Sequence, residues 1–356
     1  ITAFANLFGL GGAPLCAMAR GKGNREGAQG IMVNAGFMLL LSGAVLTVLG
    51  IAFHRPLLYL FGASEVTYPY ASSYIVIYLI GTLCVMLSLG LNPYINCQGF
   101  ARTGMLTVAL GAAANIVLDP IFIFALHLGV RGAAIATVLS QFLSAAWVVK
   151  FLTSKKAELK LDFRGFRPDC QCIQRITVLG IASFVMSFTD TLVQVACNAT
   201  LRNFGGDLYI SVMTVLNSVR QIAQTPVLAI ADGASTAISY NYGAGLYKRT
   251  RDAIRFMTQI AIGYTMLVWM LVSLFPALFI RIFNQDAELV AAAVPALHIY
   301  FFGFVMMAFQ YAGQSTFRAL GRAKYAVFFS LLRKAFIVVP LTLLLPYCWN
   351  LGVSGV

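Results

Sequence analysis

Three aspartates stand alone in long apolar runs: Asp119 in AANIVLDPIFIF, Asp190 in SFVMSFTDTLVQVACNATL, and Asp232 in the run that follows Pro226. An ionisable side chain at membrane depth costs roughly 2.5–3.5 kcal/mol on insertion scales, so such residues mark ion pathways, substrate contacts or charge pairs. Asn115 lies one helical turn before Asp119 and shares its face. Pro120 has no N–H to donate, which frees a carbonyl one turn upstream for water, a cation or a neighbouring helix. A carboxylate, an amide and a loosened backbone have the makings of a proton or sodium site. The competing reading is that Asp119 braces a proline kink through helix contacts.

Asp190, Gln194 and Asn198 recur at a spacing of four, which draws one polar stripe down an otherwise apolar helix. That stripe must face protein or water. A carboxyl near mid-span responds to burial in one direction and to a nearby cation in the other, so it can trade a proton for sodium or for a cationic substrate, the elementary step of an antiporter. A buried interhelical hydrogen-bond ladder is the alternative. The next run carries Asn217, Arg220, Gln221, Gln224 and Asp232, with Pro226 as an expected kink. Arg220 is an available partner for Asp190, and Arg333 or Lys334 for Asp232; spacing does not choose among them, and a paired Asp232 would be structural. Asn92 with Asn96, and Gln310 with Gln314, add one-face amide pairs that bind substrate if they line a cavity and join helices if they do not.

The elements that must hold these groups are membrane-spanning helices. Apolar residues make up 60% of the 356 and charged residues only 10%, where soluble domains carry about a quarter charged; mean hydropathy is +0.82. Runs of the roughly 20 residues needed to cross a bilayer fall near 30–53, 68–92, 104–127, 132–152, 176–200, 209–241, 254–283, 289–317 and 325–348, and residues 1–19 read as another. Barrel-type alternation is absent, so helices are expected.

The chain also repeats itself. Phe53, Phe61, Ala71, Ile77, Tyr78 and Gly81 recur as Phe275, Phe283, Ala293, Ile299, Tyr300 and Gly303 at an offset of 222, and Gly11 and Gly23 recur as Gly233 and Gly245. Ser64 and Asp286, equivalent at this offset, are both good N-cap residues. Many transporters are built from such repeats, with the substrate site at the repeat interface. The expected organisation is an N-terminal helix bundle at 1–152, a polar linker at 153–175 and a C-terminal bundle at 176–356, with six spans per repeat and the first and most of the twelfth missing from this stretch. The chemistry is not duplicated with the scaffold: Asp119 meets Val339 at offset 220 and Asp232 meets Leu10 at 222.

A net charge of +13 raises the question of a polynucleotide partner. If alternate connections share a side, 18 of the 25 Lys and Arg fall on one face, from Arg20, Lys22, Arg25 and Arg102 through the 150–175 stretch to Arg318, Arg322 and Lys324. The positive-inside rule makes that face cytoplasmic, and anionic lipid accounts for the excess without nucleic acid. The partners expected are therefore the bilayer and small organic, cationic substrates, on a monomeric protein of the plasma (inner) membrane. Seven cysteines form no disulfide framework, and Cys170 with Cys172 lacks the second ligand pair a zinc site needs. No metal and no cofactor is expected beyond a transported proton or sodium ion. HExxH, GxSxG and phosphate-loop motifs are absent, which argues against an intramembrane enzyme or an ATP-driven pump, and no filter sequence marks a channel.

The stretches NPYINCQGFARTGMLTVALGAAANIVLDPIFIF (92–124), LGVRGAAIATVLSQ (128–141), FGGDLYISVMTV (204–215) and YNYGAG (240–245) resemble the multidrug and toxic compound extrusion (MATE) family, in particular its MepA-like branch. The resemblance runs along essentially the whole chain. It implies two pseudo-symmetric six-helix bundles, alternating access, and efflux of organic cations driven by inward proton or sodium movement. Asp119 matches the acid of the family's fifth span, and Asp190 a position where similar chains carry Glu. The expected fold class is thus an all-α polytopic membrane protein. The expected function is secondary active efflux, with cation coupling at Asp119, Asp190 and Asp232 and a cavity lined by Asn92, Asn115, Gln194, Asn198, Asn217, Arg220, Gln221, Gln224 and Gln310. A flippase or exporter of a lipid-linked or anionic substrate is the other reading on this architecture, since Arg220, Arg333 and Lys334 suit an anionic headgroup.

Overall fold

Four glycines in left-handed turns show the repeat in the backbone. Gly23 (φ 77°) pairs with Gly245 (φ 73°), and Gly99 (φ 88°) with Gly321 (φ 71°), both at an offset of 222. Each follows a helix closely and reverses the chain where a Cβ would strain it. The computed structural model describes residues 1–60, 65 and 67–345, with the side chains at 60, 187, 188, 191, 192, 194–196, 198, 199, 201–208, 210 and 335 excepted.

The described residues form thirteen α-helices: α1 (Thr2–Gly21), α2 (Arg25–Leu60), α3 (Tyr68–Ile80), α4 (Thr82–Cys97), α5 (Ala101–Pro120), α6 (Gly129–Thr153), α7 (Cys170–Gly243), α8 (Tyr247–Leu274), α9 (Pro276–Arg281), α10 (Ala287–Phe301), α11 (Met306–Ala319), α12 (Ala323–Leu331) and α13 (Val339–Leu344). Six helical segments are long and apolar enough to cross a membrane, or eight when each of two bent pairs counts as one crossing. The chain is an all-helical polytopic membrane protein.

The runs at 68–92 and 289–317, expected as single spans, are broken. α3 and α4 meet at 54°, and α10 and α11 at 50°. The breaks fall at Gly81 and at the 302–305 segment that holds Gly303, the glycines matched by the repeat. A Cβ on Gly81 would lie 2.6 Å from the Val138 side chain, so the bend packs against α6 only because the side chain is missing. Proline leaves a second mark in both copies. Pro120 ends α5 and is followed by a π-helical stretch, Ile121–Ala125; Pro340, at the start of α13, is preceded by another, Leu332–Val338. Loss of the proline N–H shifts neighbouring hydrogen bonds off the i−4 register.

The runs at 176–200 and 209–241 both lie within α7, whose 74 residues amount to about 111 Å of helix at 1.5 Å per residue. That is too long for one straight crossing, and the expected division falls at 201–208. Asp286 caps α10 by accepting the Glu288 N–H at 3.0 Å; its expected counterpart Ser64 lies outside the described residues.

The chain divides into two compact units, Ile1–Phe184 with Gly243–Gly245, and Val185–Tyr242 with Leu246–Val356. In the first, α1 sits at the centre. A Cβ on Gly9 would come within 2.8 Å of the Gly90 carbonyl, and one on Gly11 within 2.5 Å of the Ile176 carbonyl. Small residues here let backbones approach, as in other membrane bundles. The polar segment 153–175, expected as a linker, is built into this unit. Leu159 and Leu161 are buried in its core, Gln98 Oε1 accepts the Leu159 N–H at 2.9 Å, and Asn34 Oδ1 accepts the Asp169 N–H at 3.0 Å. Arg20 pairs with Glu158, and Arg25 donates to the Glu158 carbonyl. The second unit packs around Val212, Leu216, Leu297 and Phe301, and around Val227, Ile238, Met257 and Ala308.

Candidate functional site

Each unit holds its own polar cluster. In the first, a cavity of about 230 Å³ opens between α4, α5 and α6, lined by Ser88, Asn92, Thr107, Asn115, Ser140 and Gln141 among others. Ser88 donates to Gln141 Oε1 at 2.9 Å, Ser144 donates to the Thr107 carbonyl at 3.1 Å, and the Asn92 Oδ1 is buried without a partner. Asn115 donates to Asp119 Oδ1 at 3.2 Å, so the amide ties the carboxylate to the cavity wall. Asp119 has no ion-pair partner among the described residues and is partly exposed. The cavity is uncharged apart from that link. A larger recess of about 630 Å³ between two of these helices, α5 and α6, is lined by Leu110, Val117, Leu143, Trp147 and other apolar groups with Lys150 at its edge, a surface suited to lipid chains.

The second unit is charged. Lys334 Nζ lies 2.6 Å from Asp190 Oδ1 and donates to the Met186 carbonyl at 3.0 Å; its side chain is 3% exposed, while that of Asp190 is 51% exposed. Arg220 and Arg333 act electrostatically on this pair. The Arg220 guanidinium lies 5.6 Å over the Tyr300 ring, and the Tyr300 hydroxyl donates to Asn217 Oδ1 at 2.8 Å. Tyr311 reaches Gln224 Oε1 at 3.5 Å. Gln221 is exposed, and both polar atoms of the Gln310 side chain are buried without a partner. The expected stripe from Asp190 through Gln194 and Asn198 continues along α7, but the side chains of Gln194 and Asn198 lie outside the described residues.

Asp232 forms a separate seam. Arg318 Nη2 donates to Asp232 Oδ1 at 2.9 Å, Ser315 donates to the Ala231 carbonyl at 2.7 Å, and Ser239 to the Ala319 carbonyl at 2.8 Å. Three bonds thus stitch the end of α7 to α11. The partner is neither Arg333 nor Lys334. Arg318, grouped by sequence with the basic connections, is instead the last-turn arginine of α11, with a side chain 9% exposed. Its spacing carried the signal: Gln310, Gln314 and Arg318 form one stripe at intervals of four. The hydroxyl positions of α6, Thr137, Ser140 and Ser144, were missed because short hydroxyls recurring at helical spacing read as ordinary small residues, and Gln141 beside them was missed as a lone amide. Among the described residues no group of three or more His, Cys, Asp or Glu side chains is placed to hold a metal.

The MatE family model matches residues 1–121 and 182–344. The multidrug export protein MepA of Staphylococcus haemolyticus is 23% identical over 357 aligned residues, covering 100% of this chain and 78% of its own length. Two solved structures share the fold at 23% identity and a TM-score of 0.94, each covering 99% of this chain and 79% of its own. One is an outward-facing multidrug resistance MATE family transporter of the MOP superfamily; the other is a MOP superfamily transporter from Pyrococcus furiosus described as having reversed polarity of its binding pocket. Its glycine turns and span-breaking bends recur along the chain, and with a family model matched over most of its length this chain belongs to the MATE family of membrane transporters and is not an enzyme.

Proposed function

We propose that this protein is a secondary active exporter of drug-like small molecules, driven by proton or sodium movement through the Asp119 carboxylate of the first unit. The carrying observation is that Asp119, alone among the three intramembrane aspartates, has no ion-pair partner among the described residues: Asp190 holds Lys334 at 2.6 Å and Asp232 holds Arg318 at 2.9 Å. A carboxylate already neutralised by a lysine or arginine has little to gain from a transported cation. One held only by an amide at 3.2 Å is available to a proton or a sodium ion. Asn115, Asn92, Ser140 and Gln141 supply the neutral oxygens and donors from which such an ion or its water would be coordinated. On this reading Asp232 braces α7 against α11.

The name of the staphylococcal relative, a multidrug export protein, supports drug-like substrates. Organic cations follow from the family resemblance, and occupation of Asp119 would drive the alternation between inward- and outward-open forms. The basic connections lie on the cytoplasmic face of the plasma membrane. The test is substrate-evoked flux in proteoliposomes: a drug gradient should drive counter-movement of protons or sodium in the wild type. Drug movement with no ion movement of either kind contradicts the coupling.

A further inference from the structure

Among the described residues, the second unit carries more positive charge at membrane depth than its carboxylates neutralise. Lys334 occupies the Asp190 carboxylate, and Arg220 and Arg333 lie within electrostatic reach of that pair. The Nε atoms of Arg220 and Arg333 are buried and have no hydrogen-bond partner, and neither guanidinium forms an ion pair among the described residues. Arg333 and Lys334 sit in the middle of the α12–α13 segment, ten residues after Ala323 and ten before Leu344 respectively, so roughly 15 Å of helix separates them from either end. Snorkelling over that distance is beyond an arginine's reach. Two guanidinium groups without an anion of their own among the described residues are costly at this depth, and a resident protein carboxylate would ordinarily offset that cost.

We infer that this cluster is a binding site for the oxyanion of an amphipathic organic ligand, a carboxylate or phosphate group, with Arg220 and Arg333 as its direct contacts. The guanidinium fork matches such groups in geometry as well as charge. Lys334, pinned by Asp190 and the Met186 carbonyl, adds to the positive field and keeps Asp190 from repelling the ligand. Tyr300 lies under Arg220 and is itself fixed by Asn217, which gives the site an aromatic wall for the ligand's apolar part. The half-exposed Asp190 carboxylate marks the side from which the site is reached, since a charge so exposed at mid-membrane cannot face hydrocarbon. The two cationic contacts project from different segments of this unit, and Arg333 does so from the π-helical stretch Leu332–Val338; widened turns of this kind recur at functional sites. The site goes beyond the coupling assigned to Asp119 and does not depend on it.

The test uses the purified full chain in neutral detergent, titrated calorimetrically with phenyl phosphate and, as a ring-matched cation, benzyltrimethylammonium. Phenyl phosphate is expected to bind, and the cation, whatever it binds elsewhere in the chain, is expected not to displace it. Arg220→Gln and Arg333→Gln should each weaken phenyl phosphate binding by about tenfold or more, the scale of one lost charge-assisted hydrogen bond. Arg333→Lys, which keeps the charge, should retain most of the affinity and guards against a Gln variant that merely misfolds. Repeating the titration in phosphatidylcholine nanodiscs with and without phosphatidylglycerol separates two sources of the oxyanion. Competition by the anionic lipid supports a headgroup as the natural ligand, and lack of competition supports a soluble one. Asp119→Asn should leave the binding as it is, so a failure of coupling and a failure of this site are distinguishable. No phenyl phosphate binding, displacement of bound phenyl phosphate by the cation, or affinity unchanged in both Gln variants overturns the assignment.

Discussion

Lys334 meets Asp190 at 2.6 Å across two helices that are far apart in sequence, and also donates to the Met186 carbonyl at 3.0 Å. The ammonium is buried and the carboxylate half-exposed, so the pair serves the lysine more than the aspartate. Removing either partner leaves a charge in a poor environment, while removing both leaves none.

Asp190→Asn and Lys334→Met should therefore each lower the melting temperature in detergent, and the double variant should recover much of the loss. A double-mutant cycle is expected to give a coupling of about 1.5–3 kcal/mol, the range for hydrogen bonds to charged groups. Additive effects would mean the contact contributes nothing of its own.

The Asp232–Arg318 seam is predicted to be structural. Asp232→Asn removes the charge at one end of a three-bond stitch between α7 and α11 and should cost stability of about 1–3 kcal/mol by thermal unfolding. Ion dependence of transport in the surviving protein should match the wild type. An altered proton or sodium dependence with unchanged stability would move Asp232 into the coupling machinery.

Much of the scaffold was legible beforehand because helices in lipid satisfy their own hydrogen bonds, so apolar run length translates directly into helix. The repeat was legible locally: Gly23 and Gly245, matched at an offset of 222, are needed by turns that glycine adopts easily, while the equivalent pair Gly99 and Gly321 emerged only from the backbone. Ion-pair partners were not, because they are set by which helices pack together. Three basic residues competed for two aspartates, and the one that takes Asp232, Arg318, sits at a helix end beside Gly321 and Arg322, where it reads as part of a basic loop. The fit of 153–175 into the first unit was hidden likewise, since Leu159 and Leu161 are two apolar residues in a stretch that is polar by composition.

Close approach at α1 gives a packing prediction. Gly9→Ala would place a Cβ 2.8 Å from the backbone oxygen of Gly90, which cannot swing aside as a side chain would. Separation of α1 from α4 should cost about 1–3 kcal/mol, whereas Gly30→Ala, with nothing within 4 Å, should be neutral or slightly stabilising. Equal melting temperatures for the two variants would argue against the tight α1–α4 contact.

Membrane orientation can be read from two cysteines of the 153–175 segment. Cys170 is exposed and should react with a membrane-impermeant maleimide in inside-out vesicles but not in right-side-out ones. Cys172 is partly buried, and burial, with the Asp169 charge beside it, pushes its thiol up. A raised thiol pKa leaves less thiolate at neutral pH, so Cys172 should lag and then gain as pH rises. Labelling of Cys170 from the outside would invert the assigned topology.

The proposed coupling runs through Asp119, the one of the three intramembrane aspartates without an ion-pair partner among the described residues, and the most direct measurement compares Asp119→Asn with wild type in proteoliposomes. Substrate-evoked proton or sodium counter-flux should disappear in Asp119→Asn, while the purified variant melts within a degree or two of wild type, because Asp119 lacks an ion-pair partner among the described residues and is held by one 3.2 Å bond. Coupled flux that persists unchanged in Asp119→Asn would contradict the account.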